Sequence, residues 1–138
     1  MKATGVVTSP NHPSNYPNNL DKTQFIEVES GKILRLEFTH FVVAGRPSDG
    51  CEGWDFVKIT DGDGTTLMDN SCGYSDPNWS PHFQPPIITT RSNRVEIFFH
   101  TDGSGTASGW SLSWSEVTPG EKALVLISIR FCHPFYLN

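Results

Sequence analysis

Short runs of strict period-two alternation, interrupted by glycine and proline every few residues, set the narrowest limit on what this chain can fold into. Leu34, Leu36 and Phe38 alternate with Arg35, Glu37 and Thr39, and Val57 and Ile59 flank Lys58. Val95, Ile97 and Phe99 alternate with Arg94, Glu96 and Phe98, and Trp110, Leu112 and Trp114 alternate with three serines. Successive side chains of a strand point to opposite faces, so each run predicts a strand with one face in a core. No longer window places apolar residues at i, i+3, i+4 and i+7, so essentially no helix is expected. Strands without helices to cover them bury their apolar faces sheet on sheet, which predicts an all-β antiparallel sandwich. His40 shares the parity of Leu34, Leu36 and Phe38 and reads as a strand-end histidine on that face. Trp54 shares the parity of Phe56 and reads as a core candidate.

Three segments, Glu29-Ser30-Gly31-Lys32, Asp61-Gly62-Asp63-Gly64 and Asp102-Gly103-Ser104-Gly105, carry glycines able to take the positive φ of tight turns. All three read as hairpin turns. Residues 9–17 hold three prolines, which cannot donate to a ladder, so this stretch is expected to wrap the sandwich. Residues 72–86 hold four prolines and form a second long loop. Binding groups concentrate on such loops when a rigid scaffold carries them.

With 138 residues the chain can bury about two thirds of its unfolded surface in one core, and it has no room for a separate cofactor lobe. The formal net charge is −5 and Lys and Arg are not clustered. Nucleic acid is therefore not an expected partner, because affinity for phosphate backbones comes mostly from counterion release by such clusters. No apolar run is long enough for a membrane-spanning helix. Residues 1–4 show no signal-peptide pattern and read as a leader remnant, with the domain over residues 5–117. Beyond Thr118-Pro119-Gly120 the chain changes character. Residues 118–138 read as a linker or non-domain tail, although Val125, Ile127, Ile129 and Phe131 also fit one more strand. If exposed, that low-charge, β-prone window is an aggregation hazard.

The order of motifs resembles the CUB domain, an extracellular module of about this size. The resemblance rests on Ser9-Pro10-Asn11 through Tyr16-Pro17, Phe25-Ile26-Glu27-Val28, and the alternating strand that runs on to Phe41. It continues with Cys51 ahead of Trp54-Asp55-Phe56-Val57-Lys58-Ile59, then Asp61-Gly62, Cys72-Gly73, Ser92-Asn93, Thr101-Asp102-Gly103-Ser104 and Gly109-Trp110. It covers roughly residues 5 to 117 and implies a jellyroll-like sandwich. It also implies a disulfide between Cys51 and Cys72, folding in an oxidising, secretory compartment, and a free Cys132 in the tail. Lys22 stands where many members carry a cysteine of a first disulfide, and Gln24 stands where an aromatic is usual.

A subset of such domains binds calcium through a Tyr, a Glu and two Asp. Matched one at a time, the Tyr is Tyr16 and the aspartates are Asp55 and Asp102, whereas Ala44 stands at the expected glutamate. Asp49 or Glu52 is a candidate replacement. Calcium takes six to eight oxygens, and extracellular modules with few carboxylates bind it at about 0.1 to 1 mM. The alternative is that Asp55 and Asp102 only accept backbone hydrogen bonds in turns. In calcium-binding members the ordered acidic surface, here Tyr16, Asp55 and Asp102, captures a Lys or Arg of a protein partner through charge-assisted hydrogen bonds. Trp79, in the second proline-rich loop, is a further partner anchor. Asn78-Trp79-Ser80 forms an N-glycosylation sequon.

Other chemistry finds little support. Asp61-Gly62-Asp63-Gly64 echoes an EF-hand start but lacks the closing glutamate. The five histidines, at 12, 40, 82, 100 and 133, have no zinc-like pairing. Ser104 and Ser108 sit in a glycine-rich turn without a nucleophile elbow. No enzymatic activity is expected. The sequence thus predicts a secreted, non-catalytic module that recognises protein or glycan through its loops. The alternatives are a structural component of extracellular or mineralised matrix, and an accessory domain of a secreted protease.

Overall fold

The computed structural model describes residues 2–120. Nine strands follow in chain order: β1 (Thr4–Thr8), β2 (Asp21–Glu27), β3 (Ile33–Val43), β4 (Phe56–Asp61), β5 (Thr66–Ser71), β6 (Gly73–Tyr74), β7 (Ile88–Thr89), β8 (Arg94–His100) and β9 (Gly109–Val117). A 3-10 turn at Pro47–Asp49 is the one helical element among the described residues. One sheet runs β1-β9-β3-β6, with β7 also on β3, and the other runs β2-β8-β4-β5. All these strand pairs are antiparallel.

The alternating residues meet between the sheets. Leu34, Leu36, Val57, Ile59, Val95, Ile97, Phe99, Trp110 and Leu112 are all buried, as the pattern required. Two sheets each burying one face account for the absence of longer helices among the described residues. Lys22, at the missing-cysteine position, pairs with Phe99 across β2 and β8. Main-chain pairing with β8 holds the edge strand β2 at that position.

Three sequence expectations need correction. Only the Asp61–Gly64 turn is a hairpin, joining paired β4 and β5. The segments after β2 and after β8 instead carry the chain from one sheet to the other, since β2 does not pair with β3, nor β8 with β9. Glycine at positive φ specifies a tight reversal and not which sheet receives the next strand. His40 is off the core face: the β3–β9 register slips between Phe38 and His40, so that Thr39 is an extra residue and Phe41 and Val43 become the buried ones. One added residue reverses which face every later side chain meets. Trp54 and Phe56 are only half-buried, and Trp54 lies under the Arg46 guanidinium, 5.1 Å from its ring centre.

The tail expectations, including a strand through residues 125–131 and the state of Cys132, lie outside the described residues. The domain limits read from sequence can be set beside the strands: β1 begins at Thr4 and pairs with Ser115, and β9 ends at Val117.

Candidate functional site

The proline-rich stretch of residues 9–17 brings Tyr16 inward. The main-chain N–H of Tyr16 donates to the Ala107 carbonyl at 3.1 Å, and its ring packs edge-on against Phe99 with centroids 4.9 Å apart. At the start of that stretch, Ser9 Oγ accepts the Trp110 N–H at 2.9 Å. The approach requires glycine at 109, which has φ +85° and where a Cβ would collide with Ser9 Oγ.

Tyr16, Asp55 and Asp102 converge at this end of the sandwich. The Tyr16 hydroxyl donates to Asp55 Oδ2 at 2.6 Å and accepts the Ala44 N–H at 2.9 Å. Asp55, immediately before β4, donates its own N–H to the Ala44 carbonyl at 3.1 Å, and its Oδ1 accepts the Asp102 N–H at 2.8 Å. Asp102, two residues past β8, uses Oδ1 to accept the Ser104 N–H at 3.2 Å. Ala44, at the expected glutamate position, thus sits within the cluster but contributes only main-chain groups.

Asp55 is 1% exposed. Burial pushes its carboxyl up to about 6, and the adjacent Asp102 carboxylate adds to the rise, while hydrogen bonds from Tyr16 and the Asp102 backbone oppose it. Burial, and then the bond to Asp55, pushes the Tyr16 phenol up, so it stays protonated and donates. Two carboxylates within reach of each other, one of them buried, form an anionic pair that a cation would relieve.

A folded-state value raised above the ordinary carboxylate range means the native state holds the Asp55 proton more tightly than the unfolded chain. The stability this group contributes is present at low pH and is lost as pH rises from about 4 through 6. Metal-free protein is therefore expected to lose melting temperature between pH 4.5 and pH 7, by less in Asp55→Asn. Equal losses in thermal scans of the two proteins would contradict this.

The other expected site residues lie elsewhere. Asp49, on the 3-10 turn, and Glu52 are exposed, and among the described residues no three His, Cys, Asp or Glu side chains gather as a metal-binding group. Cys51 and Cys72 form a disulfide with sulfurs 2.04 Å apart, joining the segment before β4 to the residue between β5 and β6. Asn78 is exposed, and its main-chain N–H donates to Asp76 Oδ1 at 2.9 Å. Trp79 is 63% exposed.

Sequence reasoning missed a cluster that the β3 bulge creates. His12 Nδ1 shares a hydrogen bond of 2.9 Å with the Ser108 carbonyl, and His40 Nε2 shares one of 2.7 Å with Ser108 Oγ. The two imidazole centroids are 5.1 Å apart. Neither ring bonds a carboxylate among the described residues, so the serine and histidine lack the orienting acid of a hydrolase triad.

The CUB domain profile matches residues 1–114. The chain belongs to the CUB domain family. Among curated relatives it is 36% identical over 112 residues to human mannan-binding lectin serine protease 1, covering 80% of this chain and 14% of that protein. It is 36% identical over 111 residues to pig cubilin, covering 79% of this chain and 3% of that protein. The chain thus spans only a small part of these relatives. A solved structure of the MASP-1 CUB2 domain bound to Ca2+ superposes with a TM-score of 0.65 at 30% identity, covering 80% of this chain and 90% of that one. The disulfide-bonded all-β sandwich described above is consistent with a non-catalytic CUB module.

Proposed function

We propose that this CUB domain is a secreted binding module whose Tyr16, Asp55 and Asp102 end holds calcium and, so ordered, captures a Lys or Arg of an extracellular protein. The observation that carries the reading is the buried Asp55 carboxylate, held by the Tyr16 hydroxyl and the Asp102 N–H with the Asp102 carboxylate beside it; burial raises its carboxyl to about 6. At extracellular pH that group is mostly ionised, and the pair calls for a cation. The donor set suits a hard ion: two carboxylates with main-chain carbonyls and water to complete the shell. Lacking the glutamate, the site falls in the weak class, with a dissociation constant of about 0.1 to 1 mM. The Ca2+-bound MASP-1 CUB2 structure supports the assignment. An accessory role beside a protease domain is in keeping with the match to part of a serine protease.

Calorimetric calcium titration tests the site. Wild-type protein is expected to give a saturable one-site isotherm, and Asp102→Ala to bind at least about tenfold more weakly. Equal heats from the two proteins would remove the site.

A further inference from the structure

A groove of about 670 Å³ opens on the outward face of the β1-β9-β3-β6 sheet. Its floor includes His40 and Val42, the residues that the Thr39 bulge turns away from the core, and its walls include Tyr74, Asp76, Trp79 and Ser108. Trp79 and Tyr74 meet edge to face at 6.4 Å, leaving the indole 63% exposed.

The charge in this groove is one-sided. Asp76 is its one carboxylate, and no Lys or Arg lines it. Asp76 Oδ1 accepts the Asn78 N–H, and the carboxylate has no ion pair among the described residues. Burial, and then the neighbouring His12, lowers the proton affinity of His40, which disfavours its charged form. Two other aromatic rings that reach solvent lie under cations of the chain itself: Arg46 is 5.1 Å from the Trp54 ring centre and Arg94 is 4.3 Å from that of Phe25. Trp79 has no such cation among the described residues.

An anion would be repelled by Asp76, and an apolar group would strip water from its carboxylate without replacing it. A cation satisfies the indole face and the acid together. A guanidinium does so better than an ammonium, because its plane stacks on the ring while its fork reaches a carboxylate. We infer that this groove receives an arginine side chain of an extracellular protein partner, in a metal-independent contact separate from the Asp55–Asp102 pair.

The test is an NMR titration of the full chain carrying Asn78→Gln, so that no glycan crowds the groove, with N-acetyl-L-arginine methylamide in excess chelator. The Trp79 indole N–H is expected to shift saturably. The citrulline analogue, of nearly the same shape without charge, should bind at least about tenfold more weakly, as should arginine to Asp76→Asn, read at the same indole, and to Trp79→Ala, read at the main-chain N–H signals of Tyr74 and Asp76. Both substituted side chains are exposed, so these variants are expected to fold. The Trp79 shift should saturate at the same arginine concentration when the chelator is replaced by excess calcium, which separates this groove from the calcium site. Equal binding of arginine and citrulline, tighter binding of methyl glycosides, or indifference to Asp76→Asn would each overturn the proposal.

Discussion

Replacing Trp110 by alanine is expected to cost about 3–5 kcal/mol, a large share of the stability of a domain this size. Trp110 is fully buried on β9, the strand held between β1 and β3. Its ring stands edge-on to Phe38 at 6.0 Å and to Phe99 at 5.9 Å, so it joins residues of both sheets. The alanine variant leaves a cavity that strands pinned on both sides cannot close. Trp110→Phe should cost less than truncation to alanine. It retains most of the ring contacts and removes an indole N–H that has no hydrogen-bond partner among the described residues. Urea unfolding of the three proteins would measure this. A loss below about 1 kcal/mol in Trp110→Ala would contradict the packing account.

Loss of the disulfide is the second large effect. Cys51 and Cys72 are 21 residues apart, and opening a loop of that length returns chain entropy to the unfolded state worth about 3 kcal/mol. No other bridge is present among the described residues to offset the loss. The bond also anchors functional segments: Asp55 follows Cys51 closely, and the loop bearing Trp79 starts just past Cys72. The Cys51→Ala/Cys72→Ala protein should therefore melt well below wild type and bind calcium more weakly. An unchanged melting temperature would show that the sheets alone fix these segments.

The sandwich was legible because its cause is local and repetitive. A strand with one buried face must alternate, and β3, β4, β8 and β9 all do so. The Thr39 bulge leaves no mark in composition, so alternation continued through it placed His40 on the wrong face. Turn chemistry was equally local: the glycines after β2 and β8 announce reversals, but a change of sheet depends on contacts far along the chain. The two-residue strands β6 and β7 are too short to show a period.

The candidate site was legible only through the family pattern. Tyr16 and Asp55 are 39 residues apart, and Asp55 and Asp102 are 47 apart, so no spacing rule joins them. The resemblance named these residues, and the structure adds the main-chain role of Ala44 and the burial of Asp55. The groove around Trp79 was beyond sequence reasoning, since its lining comes from several separated segments and depends on the bulge.

The most direct test of the account is calcium affinity as a function of pH. If calcium binds the ionised Asp55 carboxylate beside Asp102, binding releases the proton held with a pKa of about 6. Calorimetry should then find affinity nearly constant from pH 7.5 to 6.5 and falling about tenfold per pH unit below 6. Affinity that stays level down to pH 5, or that survives Asp55→Asn unchanged, would show that this carboxylate pair is not the cation site.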